Sequence, residues 1–202
     1  MYILICFFLA VYPVLGAGLK YIDNAFDEKI FSKKVAYVLA PLLGVLWAVA
    51  MILDAASATI LLAIVLGVLL KGKIDNWAHV VGMVVIFAVL LVTGVQLLWI
   101  PLVVLTLGAI FDEVGNDFID KKGYLASKKL GVRFAGFFFD QRWLTKVVIV
   151  VLSVFGLIPW YFFVAMVFFD YAYLGVRWYG ELRVQKQNQR MLVVSSREIA
   201  DG

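Results

Sequence analysis

The residues best suited to chemistry lie in one short stretch, Phe111-Asp112-Glu113-Val114-Gly115-Asn116-Asp117-Phe118-Ile119-Asp120-Lys121-Lys122-Gly123. Continued as a helix, it would carry Asp112, Asn116 and Asp120 on one face, with Glu113 and Asp117 on the adjoining stripe. Carboxylates this close repel one another unless they are well solvated or a cation neutralises them. A similar set lies near the N-terminus, where Asp23 and Asp27 are four residues apart beside Asn24 and Glu28. Hard divalent cations such as Mg2+ bind carboxylates and substrate phosphates together, because Mg2+ seldom takes an all-protein cage. Lysines then offset the remaining phosphate charge, and Lys71, Lys73, Lys121 and Lys122 are at hand. Two facing acid sets with lysines suit a diphosphate attached to a lipid tail. The plainer reading is two solvated loops, in which mixtures of Asp and Lys are common and bind nothing.

The elements that must position these residues are read from composition. The 202-residue chain is 64% hydrophobic and only 16% charged, with a mean hydropathy of +0.99, whereas soluble domains carry about 25% charged residues. An integral membrane protein is expected. The N-terminal apolar run ends in small residues, Leu15-Gly16-Ala17-Gly18, that could pass for a cleavage site, but its first lysine is Lys20. A signal peptide opens on a basic segment, so this run reads as a retained first span. The apolar run over residues 35–70 holds one charge, Asp54, and is too long for a single crossing of about 20 residues. It reads as a hairpin with its tip near Asp54. Gly94, Gln96 and Pro101 mark a second tip within residues 80–110, and Gly156-Leu157-Ile158-Pro159 a third within residues 147–173. Three hairpins and the first span give an all-α, polytopic bundle of about seven helices over residues 1–177, with residues 112–143 as a cytoplasmic or interfacial loop. Residues 178–202 read as a polar, mobile cytoplasmic tail.

Every basic segment falls on one side of this arrangement: residues 20–34, 71–73, 121–142 and 177 onward. Cytoplasmic loops are enriched in Lys and Arg, which puts the N-terminus outside and the C-terminus in the cytoplasm. Asp23, Asp27, Glu28, Asp75, Asp112, Glu113, Asp117 and Asp120 then all lie at cytoplasmic helix ends. Residues 124–143 mix Lys128, Lys129, Arg133 and Arg142 with Phe134, Phe137, Phe138, Phe139 and Trp143, as expected of chain at headgroup level.

These residues carry a resemblance. Ile22-Asp23-Asn24-Ala25-Phe26-Asp27 resembles the first aspartate-rich motif of the UbiA family of intramembrane prenyltransferases, and Asp112-Glu113-Val114-Gly115-Asn116-Asp117 the second. Four helices separate the motifs, as in that family, and Lys71-Gly72-Lys73 with His79 and Gly82 is similar to its intervening basic loop. The resemblance implies a helical bundle with a cavity open to the cytoplasmic side and Mg2+ bridging the motifs to a prenyl diphosphate. Asp23, Asn24, Asp27, Asp112, Glu113, Asn116, Asp117 and Asp120 would be the metal set, Asp27 and Asp117 its catalytic members, and Lys71, Lys73, Lys121 and Lys122 would hold the diphosphate. The implied partners are membrane lipids, a prenyl diphosphate and a hydrophobic acceptor, with no nucleic acid. The chain departs from the family's first motif, Asn-Asp-x-x-Asp-x-x-x-Asp, at Asn24 and Phe31, and its second offers Glu113 where an Asp is usual.

Other readings stay open. A small transporter or channel would need a polar path, for which the apolar runs offer little beyond Asp54 and Gln96. A non-catalytic scaffold or partner subunit would tolerate loss of the acids. Trp47, Trp77, Trp99 and Trp160-Tyr161-Phe162-Phe163 could line a cation site but are better read as packing and interfacial anchors. His79 reads as interfacial, and Asp170 as facing the cavity or pairing with Arg177. Cys6 is the only cysteine, so no intrachain disulfide is available.

Overall fold

The computed structural model describes residues 2–26, 28–72, 76–123 and 129–200, and no strand occurs among them. They form α1 (Tyr2–Phe26), α2 (Lys33–Leu53), α3 (Ala55–Leu70), α4 (Trp77–Thr93), α5 (Trp99–Lys122), α6 (Leu130–Asp140), α7 (Trp143–Val154) and α8 (Tyr161–Ala200). Two of them, α1 and α2, are long and apolar enough to cross a membrane, and α3, α4 and α7 are apolar but shorter.

The breaks fall where local chemistry demands them. Asp54 separates α2 from α3 and caps the latter, its Oδ1 accepting the N–H groups of Ala56 at 2.8 Å and Ser57 at 3.0 Å. Asn76 caps α4 through the N–H of His79 at 3.0 Å. At the second tip α4 ends on Gly94, whose φ of 70° is open to a residue without a Cβ. The irregular segment that follows is tied back when Leu98 N donates to Thr59 Oγ1 at 3.0 Å.

Packing arranges six helices in a closed ring, in the order α1, α2, α3, α5, α7, α8 and back to α1. Helix α4 packs on α2 from outside, and α6 lies against α5 and α7. Helices α1 and α8 run parallel: Phe8 meets Phe162 with ring centroids 5.0 Å apart, Gly16 abuts Phe169, and Asn24 reaches Val176. The middle of the ring is filled by Tyr12, Leu15, Met51, Ile60, Leu105, Ile149 and Met166. Trp47 stands edge-on to Phe169 across it, with centroids 6.3 Å apart.

Three expectations are corrected. Among the described residues there are eight helices rather than about seven, because α6 forms inside the segment expected to be a loop. The first part of that segment is helical as well, since α5 runs on to Lys122. Finally, residues 178–200 are not set off from the helix before them, since α8 continues over 40 residues to Ala200. Its polar half is rich in Glu, Leu, Arg, Gln and Lys, all strong helix formers, and contains no proline to stop it.

Candidate functional site

Although α5 continues as a helix, its packing against α7 splits the acidic stretch between environments rather than leaving one acidic face. Asp112 and Glu113 turn into the bundle and are buried. Both oxygens of Asp112 are engaged by the start of α7: Oδ1 accepts Leu144 N at 3.1 Å, and Oδ2 accepts Thr145 N and Thr145 Oγ1, each at 2.7 Å. Glu113 pairs with Arg142 at 2.9 Å. One turn on, Asp117 points elsewhere and meets Lys71 at 3.3 Å, linking the ends of α5 and α3. Asn116 is partly buried and its Oδ1 has no hydrogen-bond partner among the described residues. Lys121 and Lys122 are exposed in the last turn of α5. Asp27, Lys73 and the side chain of Asp120 lie outside the described residues.

On α1, Asp23 and Asn24 also part company. Asp23 takes His79 Nε2 at 2.7 Å on Oδ1 and the hydroxyl of Tyr173 at 3.0 Å on Oδ2. Asn24 is buried against α8, its Nδ2 donating to Val176 O at 3.5 Å. The ring of Tyr173 lies within cation–π range of Lys20 Nζ, at 5.6 Å, and of the Arg142 guanidinium, at 5.3 Å. A continuous polar chain therefore runs His79, Asp23, Tyr173, Arg142, Glu113, crossing four helices and the turn before α7. It joins one residue from each of the two acidic stretches.

Arg142 is the pivot. It caps α7 from a left-handed conformation, φ 50° and ψ 46°, which costs an L-residue about 1 kcal/mol or more. Burial works against its charge, but Glu113 foremost, then Tyr173, Asp170 and Asp23, hold the guanidinium well above its ordinary pKa. It remains a fixed cation. Beside it, Lys146 is buried and donates to the carbonyls of Gln141 and Arg142 while pairing with Asp170. Asp170 thus pairs with Lys146 and not with Arg177, which takes Asp140 of α6 at 3.1 and 3.4 Å.

Between α3, α5, α7 and α8 these groups line a cavity of about 50 Å3, with Ile64, Val68 and Ala109 on its apolar side and Asp112, Glu113, Arg142, Thr145 and Asp170 on its polar side. It has room for a few water molecules. The described residues do not fit Mg2+ in this arrangement: no three carboxylate or imidazole groups among them gather as ligands of one ion, and both oxygens of Asp23 and of Asp112 already accept protein hydrogen bonds.

Sequence reasoning passed over Arg142, Thr145, Lys146 and Tyr173 as site members. For Lys146 a signal existed, since it stands alone in the apolar run 143–154, and an ionisable residue in such a run marks a polar interior. For Thr145 and Tyr173 there was none, because their roles exist only through helices distant in sequence. No family model, no curated protein and no solved structure matches the chain.

Proposed function

We propose that the chain is a polytopic membrane protein, N-terminus outside and C-terminus cytoplasmic, that receives a prenyl diphosphate at its charged end and transfers the prenyl group to a hydrophobic acceptor. The membrane part of this reading is supported by the outward flanks of the helices. Val38, Leu42, Leu91, Val103 and Val154 are all largely exposed, and soluble surfaces rarely carry apolar area on this scale. Exposed tryptophans stand at both ends of the bundle, Trp77 and Trp178 at the charged end and Trp99 and Trp160 at the other, as in the aromatic belts of membrane proteins.

One observation carries the functional part: Asp23 and Glu113, from the two stretches that resemble the UbiA motifs, belong to a single polar chain through Tyr173 and Arg142. Arg142 offers a planar fork suited to phosphate oxygens, and Lys146 lies beside it. Thermal unfolding of detergent-purified protein with geranylgeranyl diphosphate, with and without Mg2+, tests this reading. Stabilisation that is lost in Arg142→Met is expected. No stabilisation under either condition overturns it.

The saturation of Asp23 and Asp112 favours a second reading, in which the charged network only holds the bundle together and the chain acts as a membrane scaffold. In that case the ligand has no effect, while substitutions throughout the network lower stability.

A further inference from the structure

Helix α6 has one face against the bundle and one uncovered. On the inner side Gly136 is buried, the ring of Phe139 occupies the space a Cβ on Gly115 of α5 would need, and Asp140 takes the guanidinium of Arg177 on α8. On the outer side Leu130, Phe134 and Phe137 are 84%, 66% and 50% exposed. Their spacing of four and then three residues puts them on one stripe. Arg133 is exposed beside that stripe and Lys129 precedes it, whereas the one acid in the helix, Asp140, faces inward to Arg177. The uncovered face is therefore an apolar ridge with a basic flank. On α5, against which α6 packs, Phe111, Val114 and Phe118 are exposed as well. Since α6 connects the charged ends of α5 and α7, a bilayer around those helices brings its surface to this ridge.

We propose that the outer face of α6 lies in the headgroup layer of the cytoplasmic leaflet and selects anionic lipid there, with Phe134 and Phe137 entering the acyl boundary and Arg133 meeting the headgroup. Amphipathic helices of this composition bind in the interface through buried apolar area together with attraction to anionic lipids. The proposal rests on the membrane reading above, and its test keeps the two apart. On a Cys6→Ser background, the full chain carries an environment-sensitive fluorophore at Phe134→Cys or, on the α2 flank, at Leu42→Cys. It is reconstituted into phosphatidylcholine vesicles with or without phosphatidylglycerol, bearing nitroxides at headgroup or mid-chain depth. The label at 134 is expected to be quenched by headgroup nitroxides, more strongly with phosphatidylglycerol, and to lose that increment in high salt. Arg133→Gln should shift the docked-to-undocked ratio about fivefold. The label at 42 should be quenched by mid-chain nitroxides in both vesicles. Water-like, unquenched emission at 134 with normal quenching at 42 overturns the proposal. So does a label at 134 shielded from water and nitroxide alike, which means protein covers the ridge, and so does equal quenching in both vesicles. Loss of quenching at 42 overturns the membrane reading itself.

Discussion

The carboxylate of Asp112 holds both the backbone N–H and the hydroxyl of Thr145 at 2.7 Å, across 33 residues of chain. A residue whose spacing suggested metal ligation is thereby the cap of a helix to which it does not belong. The positive end of that helix suits a buried anion, and the cap fixes α7 against α5. Asp112→Ala should cost about 2 kcal/mol, the upper range for a lost cap, because it strands three donors. Thr145→Val should cost about 1 kcal/mol. Thermal unfolding of the two single variants and the double variant checks this, and the double loss should fall short of the sum. An Asp112→Ala variant as stable as wild type would return the residue to a ligand role.

Glu113 and Arg142 form an unequal pair, since the Glu113 side chain is 5% exposed and that of Arg142 34%. Removing the cation leaves a carboxylate inside the bundle, whereas removing the carboxylate leaves a guanidinium that can reach water. Arg142→Ala should therefore be the more damaging, at about 3 kcal/mol, with Glu113→Ala costing less. Replacing both, Glu113→Met with Arg142→Met, should recover much of the loss, because an apolar pair of similar volume often matches a buried ion pair. Melting temperatures of the three variants give the order. Equal losses in both single variants would contradict the asymmetry.

The breaks between helices were legible in sequence because each is a local event. Asp54 can cap, Gly94 can take a positive φ, and Gly156 to Pro159 cannot continue a helix. The charge of the bundle's one end was legible for the same reason, since hydropathy and charge are properties of short windows. What the acidic stretch does was not. Helical periodicity put Asp112 and Asp117 on adjoining stripes, but only the packing of α7 against α5 determines that the first caps a helix while the second faces Lys71. Arg142 read as a headgroup-level cation, because nothing in its own segment reveals Glu113 opposite. The length of α8 was missed for another reason: polarity was taken as a sign of a mobile tail, although its residues favour helix whether or not they are buried.

The parallel contact of α1 with α8 depends on Gly16. A Cβ there would run into the backbone carbonyl of Phe169, which cannot move aside as a side-chain tip can. In a bilayer, helices associate largely through such close packing, and small residues at the contact permit it. Gly16→Ala should therefore cost about 3 kcal/mol, the upper range for overpacking. Gly175, on α8 with nothing within 4 Å of its would-be Cβ, provides the control. Gly175→Ala should be neutral or stabilise by up to about 1 kcal/mol, because Ala favours the helix over Gly. Melting temperatures of opposite sign are the expected result, and equal tolerance at both positions would mean that α1 and α8 do not approach this closely.

Asp117 separates a structural role from a functional one most cleanly. Its contact with Lys71 is 3.3 Å long and both side chains are partly exposed, 36% for Asp117 and 25% for Lys71. A pair so placed is worth about 0–1 kcal/mol, so Asp117→Ala should unfold within a degree-scale shift of wild type, unlike Asp112→Ala. Its effect on ligand-induced stabilisation is therefore not confounded by folding. If the charged end receives a prenyl diphosphate, Lys71, released from its contact with Asp117, keeps its charge and can still serve the phosphate. Abolished stabilisation by geranylgeranyl diphosphate in Asp117→Ala, with stability preserved, would assign the residue to ligand recognition. Stabilisation equal to wild type would confine ligand recognition to the inner network around Arg142.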